Sequence, residues 1–519
     1  MKRSDLVFAV VAAAIAAALV FGIVGAPSFT DAYYHFNAAA RMASGQGLTD
    51  AYVWTYIGAA DSLPMPSHLY WMPMTSFLSG VSMILLDAPG DYRAAQVPLA
   101  LCVWGAGLIG YHLGRKLGGT VRHAWIAGLL TLLSPFFVRF WGATDTFAPY
   151  AFFGAACLVM IGAAVERPRA WRWAAAGGFA ALGHLTRADG LLLLGVAGLF
   201  ALLCRVSLAR RLTYGVWVTV GYVVVMSPFF ARNLDALGAP LPLGGAQAIW
   251  FDEYNDLFNF PPDSTASTLF TDGIGRALES RRDALVTNIG TVVAVEGMVV
   301  LLPFMLYAGW RLRRDHFLHP FWLYALLMHI AMTFVFPFPG YRGGLFHSAA
   351  ALIPCLSALA VVGIDAAVDA VARLRRRWRP IGAKRVFSGA ALALIALLAF
   401  SYARAGRVDV VTNPPPLYAA VRDALPDGAR VLFDDPPALY YFSSLGGKDG
   451  FGGATLPNGD PDMLRAVAEA YLIDYLLLKT DRAAVPAGLH SLFDAPPDFL
   501  IPIALDSEEA RLYAIRADR

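Results

Sequence analysis

The chain has 519 residues, 57% of them hydrophobic and 15% charged, with a mean hydropathy of +0.54. A soluble protein of this length needs more polar surface, so the composition excludes the ordinary soluble classes and predicts a polytopic α-helical membrane protein. The formal net charge is only +3, and the basic residues gather in particular loops rather than on one face, which argues against a nucleic-acid partner.

Apolar stretches of about 20 residues can cross a bilayer as helices. Eleven are predicted, near 5–26, 94–113, 122–140, 145–165, 171–186, 189–206, 212–230, 291–310, 319–337, 345–365 and 386–403. The first follows Lys2 and Arg3 and reads as a retained helix, since no small-x-small cleavage site leads into a soluble domain. Basic clusters follow every second span: Arg115, Lys116 and Arg122; Arg167, Arg169 and Arg172; Arg205, Arg210 and Arg211; Arg311, Arg313 and Arg314; and the run from Arg373 to Arg385. Short cytoplasmic loops hold Lys and Arg, so the N-terminus is predicted inside a bacterial plasma membrane and the C-terminus outside. That sidedness brings Asp31, His68, Asp145, Arg187, Arg232, Arg342 and His347 to one outer face. The four cysteines, Cys102, Cys157, Cys204 and Cys355, lie in apolar runs without ligand spacing and read as small core hydrophobes.

Two outer loops are long. Loop 27–93 contains a short predicted helix from Phe36 to Ala43 and an apolar stretch, 69–86, suited to the interface. With Trp54, Tyr56, Tyr70 and Trp71 it can roof a cavity at headgroup depth. Loop 231–290 carries Asp252, Glu253, Asp256, Asp263, Asp272, Arg281 and Arg282 among proline and glycine stops, and reads as an ordered, irregular lid. After the transmembrane unit, 1–403, the composition shifts. Pro414-Pro415-Pro416 reads as a stiff linker, Val431–Phe433, Tyr475–Leu478, Phe499–Ala504 and Leu512–Ile515 as strands, and 416–425 and 461–471 as helices. Residues 404–519 are thus predicted to form a small extracytoplasmic α/β domain.

The motifs Thr30-Asp31-Ala32-Tyr33-Tyr34-His35-Phe36-Asn37 and Ser67-His68-Leu69-Tyr70-Trp71 lie in the first outer loop, and Asp145-Thr146-Phe147-Ala148-Pro149-Tyr150 opens the fourth span. With Leu185-Thr186-Arg187-Ala188-Asp189-Gly190 and Pro228-Phe229-Phe230-Ala231-Arg232-Asn233, this set resembles the GT-C superfamily of integral-membrane glycosyltransferases. The subgroup it looks most like contains protein O-mannosyltransferases and lipid A aminoarabinose transferases, and the resemblance covers roughly residues 1–400. It implies a polyprenyl-phosphate sugar donor and an outer-loop acidic residue that contacts acceptor or metal. The chain departs from the pattern in having one carboxylate, Asp31, in place of an adjacent pair, and His68 where many relatives have proline. A divalent metal is therefore optional in this reading, with Asp31 and Asp145 as its ligands. The Trp-Trp-Asp motif of oligosaccharyltransferases is absent, which argues against transfer to asparagine.

The chemistry assigns roles. An acceptor hydroxyl attacking C1 needs a base, whereas a phosphate leaving group needs cations more than an acid. Asp31 is the candidate base of an inverting displacement. Asp145, Tyr33, Tyr34 and His35 are candidate acceptor contacts, and Arg187, Arg342, Arg232, His68 and His347 are candidates for the donor phosphate. Plainer readings stand beside these. Asp31 and Asp145 can cap helices, Arg187 and Asp189 can form a packing pair, Arg342 can anchor at the interface, and His347 can be a satisfied core histidine. The function expected is transfer of a sugar to an envelope glycan, lipid or protein. The rival is a transporter or flippase of lipid-linked sugars, which would show two related halves and ionisable groups at mid-depth; the sequence has neither.

Overall fold

The apolar runs fold as helices that are hydrophobic on both sides. In α1 (Arg3–Ile23), Phe8, Ala12, Ala16, Val20 and Ile23 recur at helical spacing and are buried, while Leu6, Val7 and Val10 are exposed. A helix packed on one apolar face and open on the other suits a lipid surround. The computed structural model describes residues 3–516 except 60, 61, 243, 252, 263, 266, 268–273, 376 and 377; Lys2, Asp252, Asp263, Asp272, Arg376 and Arg377 lie outside the described residues. Among the described residues six stretches are long and apolar enough to cross a membrane: Arg3–Ile23, Tyr92–Gly118, Phe147–Glu166, Leu208–Leu237, Pro337–Leu374 and Pro380–Ala405.

The first outer loop holds α2 (Thr30–Ala43), which begins six residues before the expected Phe36, and α3 (Met74–Leu85), which exposes Phe77, Ile84 and Leu85. The bundle continues through α4 (Tyr92–Gly118), α5 (Val121–Leu132), α6 (Phe147–Glu166), α7 (Ala170–Thr186), α8 (Leu191–Leu203) and α9 (Leu208–Leu237). The third predicted span is only half helical. α5 ends at Leu132 and 134–146 runs as turns, because Pro135 cannot donate to a continuing helix. The lid is also shorter than expected: α9 runs on to Leu237, and α10 (Ile274–Thr291), with Ala277, Ser280, Ala284 and Asn288 buried on one face, takes up its last part.

α7 and α9 meet backbone to backbone. A Cβ added to Gly177 would fall 2.0 Å from the Val218 carbonyl oxygen, and one on Gly221 would fall 2.0 Å from that of Ala174. Lipid supplies no hydrophobic drive between helices, so this close approach carries the packing.

Towards the C-terminus the chain forms a six-stranded sheet. Its strands are β1 (Tyr52–Val53), β2 (Arg430–Phe433), β3 (Gly452–Thr455), β4 (Tyr475–Lys479), β5 (Leu500–Ile503) and β6 (Ala510–Ile515), in the order β1-β3-β2-β4-β6-β5. The first four in that order are parallel to one another, while β6 pairs antiparallel with β4 and β5. The edge strand β1 comes from the first outer loop, with Tyr52 opposite Gly453. The sheet is therefore shared between that loop and the segment after 404.

The same loop is pinned from two other sides. Arg232 of α9 donates to the carbonyls of Leu48 and Ser67 at 3.1 and 2.6 Å, and Tyr34 of α2 donates to Asp50 Oδ2 at 2.7 Å. Burial raises the Asp50 carboxyl to about 7, against the pull of the Tyr34 bond and of Arg41 and Arg232.

Two outcomes follow. Gly221→Ala should cost about 1–3 kcal/mol by forcing α7 and α9 apart and lower the thermal midpoint in detergent, whereas Gly215→Ala on the same helix, with only an ordinary contact to Leu202, should leave it unchanged. The folded chain binds the Asp50 proton more tightly than an unfolded chain, whose Asp titrates near about 4. Its contribution is thus complete below that pH and lost as pH rises through about 7. Asp50→Asn, which keeps an acceptor for Tyr34, should flatten the fall in thermal midpoint between pH 5 and 8.

Candidate active site

α2 starts on the backbone of Phe29 with no side-chain cap, so Asp31 lies inside the first turn rather than at the cap. There the helix dipole favours a carboxylate. Asp145 stands just ahead of α6. Its Oδ1 accepts the Thr146 N–H at 2.5 Å, and its Oδ2 is buried with no hydrogen-bond partner among the described residues. His347 rides on the short helix Leu345–Ala349 with its ring stacked on Phe147 at 3.8 Å. Its Nδ1 lies 2.9 Å from Thr146 Oγ1 and 3.8 Å from Asp145 Oδ1. One oxygen of Asp31, one of Asp145 and one ring nitrogen of His347 all fall within 4.8 Å of one another.

Threonines set this convergence. Thr144 Oγ1 donates to the Ala32 carbonyl at 2.7 Å, Thr75 Oγ1 to that of Asp145 at 3.3 Å, and Thr30 Oγ1 to Asp435 Oδ2 at 3.0 Å. α11 (Ile353–Leu374) follows the His347 turn, and the last bond brings the N-terminus of α12 (Pro436–Ser443) to the start of α2. Desolvation first, then the charges of Asp145 and Asp435, push the Asp31 carboxyl well above the usual range, while Arg187 pulls it down. Asp435 is raised to about 6 by burial and by Asp434.

Arg187 lies beside the cluster. Its Nε donates to Asp189 Oδ1 at 2.9 Å, its Nη1 to Thr146 Oγ1 at 3.4 Å and its Nη2 to the Gly344 carbonyl at 3.3 Å. The packing pair anticipated with Asp189 is present, and the same guanidinium reaches the residue that holds His347. Arg342 is exposed, 4.6 Å over the Tyr254 ring of the lid, on the wall of a cavity of about 420 Å³ with Phe136, Thr291, Val295, Tyr341 and Phe346.

The other candidates sit elsewhere. Arg232 is committed to loop carbonyls. His68 has both ring nitrogens bonded, to Ser67 and Ser76, and so has none free for a phosphate. Tyr34 is spent on Asp50 and the His68 N–H, and Tyr33 packs on Tyr441 and Phe442. Sequence reasoning gave Asp435 and Tyr254 no role. An Asp-Pro pair announces a helix cap, which Asp435 is, with Ala438 N–H 3.3 Å from its Oδ1, but nothing in that signal says what the cap faces.

No protein-family model and no curated protein matches the chain. Solved structures do. The archaeal oligosaccharyltransferase AglB from Archaeoglobus fulgidus, in complex with an inhibitory peptide and a dolichol-phosphate, is 15% identical and matches with a TM-score of 0.59 over 100% of this chain and 74% of that one. The Archaeoglobus fulgidus oligosaccharyltransferase in complex with Zn and sulfate is 16% identical, with a TM-score of 0.60 over 98% and 73%. ArnT from Cupriavidus metallidurans in the apo state is 14% identical, with a TM-score of 0.57 over 98% of this chain and 97% of that chain. The chain shares the fold of these oligosaccharyltransferase and ArnT structures.

Proposed function

We propose that the protein is a membrane glycosyltransferase that moves one sugar from a polyprenyl-phosphate donor to an acceptor hydroxyl on an extracytoplasmic glycan, lipid or protein. The reading is carried by the meeting of Asp31, Asp145 and His347, from three separate elements, beside Arg187. Eleven crossings, a cytoplasmic N-terminus and an outer C-terminal segment in a bacterial plasma membrane are the topology that goes with it. A lipid donor reaches the site from the side, past the cavity at Arg342 and Tyr341.

The acceptor oxygen attacks C1 of the sugar as the C1–O bond to phosphate breaks. The bonding pair leaves on the phosphate, C1 inverts, and the hydroxyl proton passes to the Asp31 carboxylate. Its raised basicity suits Asp31 to that task. Arg187 and Arg342 offer planar, always-charged groups for the phosphate.

Two carboxylates and an imidazole within 4.8 Å, one carboxylate oxygen buried and unpartnered, fit a divalent cation with mixed oxygen and nitrogen ligands. Asp31, Asp145 and His347 would hold it. Such an ion, when bound, neutralises charge on the phosphate.

Asp31→Asn should cut transfer by about 10²–10⁴ while donor lipid still binds; a full rate in that variant would remove Asp31 as the base. Chelation should stop transfer and a divalent ion restore it, with Asp145→Asn needing at least about 10-fold more ion. Arg187→Ala should lower both transfer and the thermal midpoint by stranding Asp189. Adding Asp189→Ala should recover the midpoint alone, and recovery of transfer with it would leave the pair a purely structural role.

A further inference from the structure

Behind Asp31 four side chains form one hydrogen-bonded chain. Ser67 Oγ lies 2.7 Å from His68 Nδ1, His68 Nε2 lies 2.9 Å from Ser76 Oγ, and Ser76 Oγ lies 2.9 Å from His35 Nδ1. All four residues are fully buried. The chain ends at His35 Nε2, which is buried and has no hydrogen-bond partner among the described residues. His35 stands one turn beyond Asp31 on the same face of α2. Its ring is 6.2 Å from that of Trp71, and it lies close enough to His347 to interact with it electrostatically.

Counting protons shows where each direction of donation leaves its spare donor. A serine hydroxyl has one proton and a neutral imidazole one N–H. If the donors run from His35 towards Ser67, the Ser67 hydroxyl proton is left buried with nothing to accept it, since Ser67 Oγ bonds only His68 among the described residues. If they run from Ser67 towards His35, Ser67 donates to His68 Nδ1, His68 Nε2–H to Ser76, and Ser76 to His35 Nδ1. Every internal donor is then satisfied. The one left over is His35 Nε2–H, facing away from the chain. Each direction thus leaves one buried donor unmet; the first leaves it at Ser67, at the far end of the chain, and the second leaves it at His35, one turn from Asp31, where a ligand can accept it. Burial lowers the His35 imidazole to about 3, so it stays neutral at working pH.

The backbone supports the same arrangement. His68 adopts a φ of +63°, which a non-glycine residue rarely takes, and its N–H donates to Tyr34 Oη at 2.7 Å. Strain of this kind collects where a side chain must be aimed. Here it aims Nε2 at Ser76.

We propose that this chain presents His35 Nε2–H as a neutral hydrogen-bond donor to a phosphate oxygen of the sugar–lipid substrate, with His68 and Ser76 as positioning residues. The assignment rests on the lipid-phosphate reading above. Linked hydrogen bonds polarise one another and strengthen the terminal donor. Such a donor gains most where negative charge grows, which in this reaction is the departing phosphate. The acceptor hydroxyl needs its proton removed and is served by Asp31 instead. His35 therefore belongs with the donor phosphate and not with the acceptor contacts expected for it.

The test uses the full chain in lipid nanodiscs with ¹⁵N-histidine. His35, assigned by loss of its signals in His35→Ala, should show the neutral Nε2–H tautomer between about pH 5 and 8, and Ser76→Ala should shift part of the proton to Nδ1. Farnesyl phosphate should move the Nε2 resonance and farnesol should not. His35→Ala should weaken farnesyl phosphate binding at least about 10-fold and leave farnesol binding unchanged. An Nδ1–H or imidazolium His35 in the wild type, or farnesyl phosphate binding that survives His35→Ala, would overturn the assignment alone. A wild type that binds no farnesyl phosphate would overturn the lipid-phosphate reading together with it.

Discussion

Two carboxylates brought into one hollow repel each other, and the rest of this structure is arranged around that repulsion. Asp31 and Asp145 meet His347 within 4.8 Å, Asp435 presses from the C-terminal side, and the nearby Arg187 is already bonded to Asp189. Counted as ionised groups, the hollow is short of positive charge. Low dielectric magnifies the deficit. The folded chain can meet it by holding a proton on Asp31, by admitting a cation, or by excluding anything but a ligand that brings its own counter-ion. Each choice keeps the site poised rather than satisfied, which is why the surrounding threonines matter. Thr144 ties the pre-α6 turn to α2 and Thr75 ties α3 to that turn by neutral bonds to backbone carbonyls that do not depend on the protonation state of either acid, and Thr30 joins α2 to Asp435.

The same constraint explains why the segment after 404 is not a separate appendage. Its sheet takes β1 from the first outer loop, Asn37 of α2 donates to the Pro437 carbonyl at 2.9 Å, and Arg41 reaches Tyr440 Oη at 3.1 Å. Tyr33 and Phe36 bury their rings against Tyr441. α2 is thus clamped between the bundle and α12. A short helix of 14 residues is marginal by itself. Clamped on both sides, it becomes a rigid rail for Asp31 and His35.

Sequence periodicity predicted most helices because lipid-facing and protein-facing sides are both apolar, leaving long uninterrupted runs. It also brought the acidic and basic motifs to one end of the bundle, and Asp31, Asp145, His347 and Arg187 do converge. It failed where short-range signal is weak. Tyr52–Val53 is too short to read as a strand, and β3 opens on Gly452-Gly453, which has little strand propensity; their pairing depends on partners 400 residues apart. Arg232 looked like a phosphate ligand because charge and sidedness are visible in a sequence, whereas the carbonyls of Leu48 and Ser67 that consume it are not. His68 misled in the same way. Its bonds to Ser67 and Ser76 are properties of a loop conformation, and only the φ of +63° reveals them.

The lateral wall follows a different physical logic from the polar hollow. Residues 340–344 form a wide helical turn broken at Gly343, whose φ of +126° no side-chain-bearing residue takes readily, and Arg342 is thereby turned out beneath Tyr254. Wider turns also interrupt the neighbouring helices at Val292–Glu296 and Ala331–Val335. Close backbone approach persists there, since a Cβ on Gly340 would fall 1.8 Å from the Met332 carbonyl oxygen, so the three departures redirect the backbone without loosening it. The polar hollow is therefore bordered on one side by helices whose turns are widened, and on the other by helices of regular pitch. Under the proposed function these two borders meet different parts of one substrate, the fixed donors its head group and the wall at Arg342 its lipid chain.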